Sequence, residues 1–298
     1  MDKKYKIGID LGGTKTEAIL LNPDKKEIYR KRIQTPASTG YEAIINSLNK
    51  LITNTENNIP SGAEYTIGIG IPGSINTDNG FVQNANTTCL IGKPLKEDME
   101  NILCRKIAIE NDANCFTVAE AVEGAAKGYS LVFGVIMGTG CGGGICIDGK
   151  VREGNHSIAG EWGHFSVDPN GAVCYCGNKG CIETKISGGG VEAAYFKKYG
   201  TRMIMKDIVE GYRSKEPSCI TIFESFLDDF GRCLGGLISI LDPDAVVLGG
   251  GLSNIPELYT KGYNSIKKYA FHSNIRTPVL QNKLGDSAGV FGAAWIGK

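Results

Sequence analysis

One stretch of the chain concentrates side chains that bind metal ions. It reads Glu161-Trp-Gly-His-Phe-Ser-Val-Asp-Pro-Asn-Gly-Ala-Val-Cys-Tyr-Cys-Gly-Asn-Lys-Gly-Cys-Ile-Glu183. Its imidazole and its three thiols are those of His164, Cys174, Cys176 and Cys181. This set is a complete tetrahedral shell for Zn²⁺, of the closed kind that stabilises structure. Because four ligands are already present, we expect the flanking carboxylates Glu161 and Glu183 to bind something other than the metal.

Two alternatives to a metal site are a group of ordinary buried thiols and a disulfide. Three of the ten cysteines fall within eight residues, just downstream of one of only three histidines. Such clustering in a chain without a secretion signal favours metal binding. A bridge between Cys174 and Cys176 would close a small, strained ring. We therefore predict a zinc ion that does no chemistry and holds the 161–183 loop in place.

Length, composition and charge restrict the class of protein. The chain has 298 residues, of which 42% are hydrophobic, and this suits one large domain or two lobes. Basic and acidic residues balance at 32 each, so we expect a small-molecule partner and no nucleic acid. The longest apolar runs, such as Leu131–Met137, are too short to span a bilayer. Together with ten cysteines and no signal peptide, this predicts a cytoplasmic protein with no membrane partner.

One order of elements occurs twice along the chain: a strand, a Gly-Thr turn, a second strand, another turn and a third strand. The predicted strands are Tyr5–Ile9, Thr16–Leu21 and Ile28–Ile33 in the first copy and Leu131–Met137, Ile145–Ile147 and Lys150–Val151 in the second. This internal repeat predicts two lobes of similar topology, each with a hairpin that faces phosphate. Helices are predicted near residues 40–54, 113–126, 190–199, 206–214, 219–241 and 288–296.

The first predicted phosphate loop follows a buried strand that ends in Asp10. It consists of Gly12, Gly13, Thr14 and Lys15. Consecutive backbone N–H groups in such a turn can hold anionic oxygens, and Asp10 could orient Mg²⁺ or its water. The loop lacks the Walker A spacing. A plain hairpin turn remains the alternative.

The second predicted phosphate loop contains Gly138, Thr139, Gly140, Gly142 and Gly143. Its glycines match the bare dinucleotide-binding pattern, but that pattern must open a helix and here strand-like residues 145–147 follow. A second phosphate-binding hairpin fits better. Later in the chain Gly249-Gly250-Gly251 follows a strand and precedes a predicted helix, where either a nucleotide or a tight turn would fit.

Asn111-Asp112 stands at a predicted strand end, where sites on α/β sheets form. An aspartate there can accept the proton of a substrate hydroxyl while that hydroxyl attacks phosphorus. The alternative role of Asp112 is to cap the following helix, and both roles are compatible.

Six motifs together resemble the ROK family (repressor, open reading frame, kinase), over residues Ile7 to about Trp295. They are Asp10–Glu17, Gly70–Ser74, Asn111–Asn114, Gly138–Gly143, Glu161–His164 and Cys174–Glu183. The resemblance implies an α/β chain with an actin-like ATPase (ribonuclease H-like) fold and two lobes around a central cleft. We expect residues 1–111 with 288–298 to form the smaller lobe, and residues 112–287 with the zinc loop to form the larger.

The resemblance also implies ATP and Mg²⁺, and usually a homodimer. Asp112 would be the catalytic base. The residues expected around the sugar are Gly73, Asn86, Asn111, Glu161, His164 and Glu183. Gly8–Lys15 and Gly138–Ile145 would be the two phosphate loops, with Gly249 and Gly250 also at the nucleotide.

Within the family the chain looks closest to bacterial manno(fructo)kinases, through Asn84–Thr88, Asp112–Cys115 and Leu241–Asp244. We therefore expect a kinase for the terminal hydroxyl of fructose, and also of mannose. The short segment between His164 and Cys174 keeps N-acetylglucosamine, N-acetylmannosamine and glucose open as alternatives. A sugar-responsive repressor is disfavoured because only Met1–Lys4 precede the first strand, and a non-catalytic sensor because Asp10, Asp112 and both glycine loops are intact.

Overall fold

The protein divides into two compact units in a computed structural model that describes residues 4–297. The first unit contains the described residues up to Gly124, then Gly144–Ala159, and the described residues from Leu284 onward. The second unit contains Ala125–Gly143 and Gly160–Lys283. Residues 1–3 and 298, which the predicted smaller lobe includes, lie outside the described residues.

The first unit is built on a five-stranded sheet. The strands of this sheet are β1 (Tyr5–Leu11), β2 (Lys15–Leu21), β3 (Glu27–Gln34), β4 (Tyr65–Ile71) and β7 (Ala108–Asn111). A separate two-stranded sheet consists of β5 (Ser74–Ile75) and β6 (Val82–Gln83). Its helices are α1 (Tyr41–Glu56), α2 (Leu95–Leu103) and α3 (Asp112–Val122).

The chain beyond α3 adds the remaining elements. The strands are β8 (Leu131–Met137), β9 (Cys141–Ile147), β10 (Lys150–Val151), β11 (Ala245–Gly249) and β12 (Val279–Gln281). The helices are α4 (Glu183–Ile186), α5 (Gly188–Tyr199), α6 (Met205–Arg213), α7 (Pro217–Leu241), α8 (Lys261–Tyr269) and α9 (Ala288–Ile296), of which α9 belongs to the first unit.

The predicted internal repeat is confirmed by the strand orders. The first sheet runs β3-β2-β1-β4-β7 and the second runs β10-β9-β8-β11-β12. β1 pairs antiparallel with β2 and parallel with β4, and β8 pairs parallel with β11. The sequence pattern of strand, glycine turn and strand therefore marks equivalent positions in the two sheets.

Alternation of isoleucine and glycine in β1 and β4 lets the sheet pack on both faces. Ile9 and Ile69 belong to one core cluster with Leu48 of α1. Gly8 and Gly68 face α9, where a Cβ atom on either glycine would overlap backbone carbonyl oxygens of that helix. Only residues without a side chain permit so close an approach. Helix α9 is thus part of the first unit's structure.

The observed division of the chain differs from the predicted lobes. The predicted boundary at residues 111/112 separates α3 from the first sheet, whereas α3 lies in the first unit. The cause is its packing on α9, where a Cβ atom on Gly292 would overlap the backbone of Cys115. Helix α3 also ends at Val122, earlier than predicted. Within residues 4–297, no helix combines the length and apolar character needed to cross a membrane.

Candidate functional site

The first glycine loop joins β1 to β2 in a tight turn. Gly12 donates its N–H to Lys15 O at 3.0 Å, and Gly13, Thr14 and Lys15 are exposed. Thr35, which directly follows β3, holds the loop through two hydrogen bonds. Its hydroxyl donates to Gly12 O at 2.7 Å and its N–H donates to Thr14 O at 2.9 Å. The sequence offered no signal for Thr35, because its hydrogen-bond partners lie 19 or more residues away along the chain.

Asp10 lies directly before this loop, near the end of β1. Burial raises the pKa of its carboxyl to about 6, with a further rise from Glu17 and an opposing effect of Arg32. The first turn of α9 approaches the carboxylate, since a Cβ atom on Gly289 would lie 3.1 Å from Oδ2 of Asp10. Burial disfavours the negative charge of this carboxylate, and a bound divalent cation would offset that charge.

Asn111 and Asp112 stand where β7 passes into α3. Asn111 is the N-cap of α3, and its Oδ1 accepts the N–H of Ala113 at 2.9 Å. The capping role that the sequence suggested for Asp112 therefore belongs to Asn111, although Asp112 Oδ1 accepts the same N–H at 2.8 Å. Asp112 is the first helical residue and its side chain is exposed. This leaves its carboxylate accessible for acid–base work.

Two other residues that the sequence predicts to surround the sugar, Gly73 and Asn86, lie beside Asn111. Its Nδ2 donates to Gly73 O at 3.1 Å, and the N–H of Asn86 donates to Pro72 O at 3.1 Å. A Cβ atom on Gly73 would lie 2.9 Å from Ala85, so this position requires glycine. Ile71 of β4 pairs with Asn111 of β7. The structure thus brings Gly73, Asn86, Asn111 and Asp112 to one edge of the first sheet.

The predicted metal ligands converge in the second unit. The donor atoms of His164, Cys174, Cys176 and Cys181 all lie within 4.8 Å of one another. The Sγ atoms of Cys176 and Cys181 are 3.6 Å apart, and Cys174 Sγ is 3.6 Å from His164 Nδ1. Ligands at zinc–sulfur and zinc–nitrogen bond lengths on a tetrahedron stand about 3.5–3.8 Å apart. All ten cysteines are free thiols, so the donor set fits zinc and the disulfide alternative is excluded.

The two carboxylates that bracket the cluster have different surroundings. Glu183 Oε2 accepts the N–H of Cys141 at 3.0 Å, and its Oε1 lies 3.9 Å from Cys174 Sγ. Glu183 thereby links the cysteine cluster to the second glycine loop. Burial raises the pKa of Glu161, an effect that His164 opposes and Glu183 reinforces. Both side chains offer oxygen atoms that can accept hydrogen bonds from hydroxyl groups.

Trp162 anchors this stretch to the second glycine loop. Its Nε1 donates to Gly142 O at 3.1 Å, and its ring meets Phe133 of β8 edge-on at 5.5 Å. A Cβ atom on Gly143 would lie 2.7 Å from the indole, so the glycine makes room for it. Sequence reasoning treated Trp162 only as part of a motif.

The start of α5 holds the second glycine loop through backbone hydrogen bonds. The sequence predicted the helix but not these contacts. Gly188 N–H donates to Gly138 O at 2.8 Å, and Gly189 N–H donates to Thr139 O at 3.1 Å. Ser187 is the N-cap, and its Oγ accepts the N–H of Gly190 at 3.0 Å. A serine before three glycines and an apolar residue was the available signal. Thr139, Ser187 and Gly190 line a cavity of about 550 Å³ in this unit.

Gly249 and Gly250 close β11 beside β8. Gly250 has φ of 76° and a Cβ atom there would lie 2.7 Å from the carbonyl carbon of Met137, so both conformation and space require glycine. A short 3₁₀ turn, Gly251–Asn254, follows. The α-helix that the sequence predicted directly after these glycines is therefore absent, because α8 begins only at Lys261. Any nucleotide contact here would not use an α-helix N-terminus.

Comparisons with known proteins extend this picture over the whole chain. The ROK family model matches residues 6–298. An N-acetyl-D-glucosamine kinase of Yersinia pseudotuberculosis serotype O:3 (strain YPIII) is 37% identical over 299 residues, covering 97% of each chain. A ROK hexokinase from Thermus thermophilus superposes with a TM-score of 0.88, at 28% identity over 98% of this chain and 97% of that one. A ROK family glucokinase from Streptomyces griseus, in complex with glucose and AMPPNP, gives 0.76 at 28% identity over 97% and 98%.

The fold, with its two equivalent sheets and glycine loops, is that of an α/β actin-like ATPase. The chain belongs to the ROK family, among its sugar kinases. The predicted closeness to manno(fructo)kinases is not supported, since the similar curated relatives are N-acetyl-D-glucosamine kinases. The motifs that the family's kinases share were sufficient to identify the family, but they do not distinguish one sugar substrate from another.

Proposed function

We propose that the protein transfers the γ-phosphoryl group of ATP to the terminal hydroxyl of N-acetylglucosamine. The observation that carries this proposal is the similarity to N-acetyl-D-glucosamine kinases, which extends over 97% of both chains at 37% identity. The exposed Asp112 and the two glycine loops supply the chemistry that such a transfer requires. The fructose preference expected from the sequence is replaced by one of its stated alternatives.

Asp112 is proposed as the general base. Its carboxylate accepts the proton of the sugar hydroxyl as that oxygen attacks the γ-phosphorus. The N-cap bond of Asn111 to Ala113, at 2.9 Å, fixes the start of the helix that carries Asp112. Asn111, Asn86 and the backbone of Gly73 are proposed to hold the sugar in the orientation for attack.

The phosphates of ATP are proposed to bind the two glycine loops. Gly12, Gly13, Thr14 and Lys15 form one loop, and Gly138, Thr139, Gly140, Gly142 and Gly143 form the other. Asp10 would hold Mg²⁺, which offsets the charge that develops on the transferred group. Gly249 and Gly250 are proposed to lie at the nucleotide.

The second unit is proposed to recognise the sugar. Glu161 and Glu183 would accept hydrogen bonds from its hydroxyl groups. Zinc bound by His164 and the three cysteines would fix the loop between them. We also propose a homodimer, as the family resemblance implied, which size-exclusion chromatography with light scattering would test.

The test is an ADP-release assay with Mg²⁺ and ATP on five sugars: N-acetylglucosamine, N-acetylmannosamine, glucose, fructose and mannose. The proposal expects the highest kcat/KM with N-acetylglucosamine. A higher value with fructose or mannose would restore the sequence-based expectation and overturn the proposal. A lack of turnover on all five, with sugar binding retained, would indicate a sensor.

A further inference from the structure

Thr87 carries a hydroxyl group that is buried and has no hydrogen-bond partner. The residue is 5% exposed, and no group among the described residues pairs with its Oγ1. Its backbone is engaged, because the carbonyl oxygen of Thr87 accepts the N–H of Leu90 at 3.0 Å. A buried hydroxyl without a partner costs the folded state free energy. A ligand that pairs with the hydroxyl would account for its presence.

The segment that bears Thr87 is fixed on both sides of the residue. The N–H of Asn86 donates to Pro72 O at 3.1 Å, and Ala85 and Leu90 are buried in the core of the first unit. The short 3₁₀ turn that follows Thr87 has no side-chain cap, so the hydroxyl does not serve that turn. The side chain of Thr87 therefore has a defined position, with its hydroxyl unused.

This hydroxyl lies beside the first glycine loop. A Cβ atom on Gly13 would stand 3.4 Å from Thr87 Oγ1. Two other threonines near the loop have paired hydroxyl groups. Thr35 donates to Gly12 O at 2.7 Å, and its Oγ1 lies 2.8 Å from that of Thr16. Those two hydroxyl groups hold the loop in its present form, whereas that of Thr87 contributes no hydrogen bond to it.

The position of Thr87 indicates which ligand group it meets. The preceding residue, Asn86, is proposed to hold the sugar, and the loop at Gly13 is proposed to bind the phosphates of ATP. The group that passes from ATP to the sugar is the γ-phosphoryl group. Its anionic oxygen atoms accept hydrogen bonds, and a threonine hydroxyl can donate one. A donor at this point would also offset the charge that develops during the transfer.

We propose that the Thr87 hydroxyl donates a hydrogen bond to an oxygen of the γ-phosphoryl group during its transfer, and is thus a further catalytic residue. Thr87 keeps its own proton, since the proton of the attacking sugar hydroxyl passes to Asp112. Gly13 is exposed and has no side chain, so a shift of the loop on ATP binding gives the phosphate access to the buried hydroxyl. This inference rests on the proposed phosphoryl transfer and holds for any acceptor sugar.

The test is the variant Thr87→Val, which replaces the hydroxyl by a methyl group of nearly the same size. We expect kcat/KM for ATP to fall about 10–100-fold, because a hydrogen bond to a charged group is lost. The Kd for ADP, which has no γ-phosphoryl group, should change less than about threefold in calorimetric titrations. The Tm of the ligand-free protein should rise, because the unpartnered hydroxyl is gone.

Thr87→Ser should give the opposite pattern. It keeps the hydroxyl, so kcat/KM for ATP should stay within about threefold of the wild type. It also removes a buried methyl group, so Tm should fall. Activity and stability would thus change in opposite directions in the two variants, which a purely structural role of Thr87 does not produce.

Thr66→Val is the matched control, because Thr66 of β4 is also buried with an unpartnered hydroxyl. It should raise Tm and leave kcat/KM unchanged. A kcat/KM for Thr87→Val within threefold of the wild type would overturn the inference. A lower Tm, or a loss of ADP affinity as large as the loss of activity, would also overturn it, since the hydroxyl would then support the loop itself. Wild-type protein that phosphorylates no sugar would instead refute the proposed function, before any variant is compared.

Discussion

Replacing Asp112 by asparagine should separate catalysis from folding. Asp112 Oδ1 and Asn111 Oδ1 both accept the N–H of Ala113, at 2.8 and 2.9 Å. An asparagine at 112 retains an Oδ1 acceptor, and Asn111 remains the N-cap. The loss of the attraction between a negative charge and the helix N-terminus costs the folded state about 0.3–1 kcal/mol. The variant should therefore unfold at nearly the wild-type temperature.

The activity should respond far more strongly. An amide cannot accept the proton of the attacking hydroxyl, and a positioned general base contributes about 10²–10⁴ in rate. We expect kcat to fall about 1,000-fold, while the Kd for the sugar changes less than about threefold. ADP release at saturating ATP gives kcat, tryptophan fluorescence gives Kd, and thermal unfolding gives the stability.

Glu97→Gln is the matched control. Glu97 is an exposed acid in the first turn of α2, so its loss of charge has the same effect on a helix N-terminus. It should show a similarly small loss of stability and an unchanged kcat. A kcat for Asp112→Asn within tenfold of the wild type would remove Asp112 from the base role. A loss of stability well beyond that of the control would assign the defect to folding.

Three further predictions concern the loops and the metal. Because burial raises the pKa of Asp10 to about 6, the contribution of this carboxyl group to stability falls as pH rises from about 4 through 6. Asp10→Asn should therefore raise Tm at pH 7 and weaken Mg·ATP binding. A lower Tm would contradict this. Thr35→Val should cost about 1–2 kcal/mol and raise KM for ATP about tenfold. Thr55→Val, at another buried threonine whose hydroxyl donates to a backbone carbonyl, should lower stability alone. Chelation or the variant Cys181→Ser should remove zinc, which mass spectrometry would measure, and should raise the Kd for the sugar. An unchanged Kd would refute the proposed role of the metal in positioning the loop.

The sequence predicted those parts of the site that local chemistry defines. The spacing of Cys174, Cys176 and Cys181 after His164 sufficed for the metal cluster, because ligands so close in sequence must converge once the loop turns. The repeated strand, glycine turn and strand predicted the two equivalent sheets. In both cases the signal lies within a short segment: the cysteine loop itself, and the strand-turn-strand hairpin with which each sheet begins.

Contacts between distant segments could not be predicted in this way. Thr35 reaches Gly12 across two strands, and Ser187 caps a helix whose first N–H groups bind a loop fifty residues earlier. The capping of α3 by Asn111 rather than Asp112 depends on backbone angles that either residue could adopt. The expected closeness to manno(fructo)kinases failed for a different reason: the motifs on which it rested are shared across the family, so they indicate the family and not one of its members.

The packing of α9 on Gly8 and Gly68 has a consequence for the order of events during synthesis. The ribosome makes the strands that bear these glycines long before it makes residues 288–296. At about 5–20 residues per second, the gap is on the order of ten seconds or more. During that time the glycine-lined face of the first sheet has no helix to cover it. We expect the first unit to be the late-folding one, and the nascent chain to need protection of that face by a chaperone until its last helix emerges.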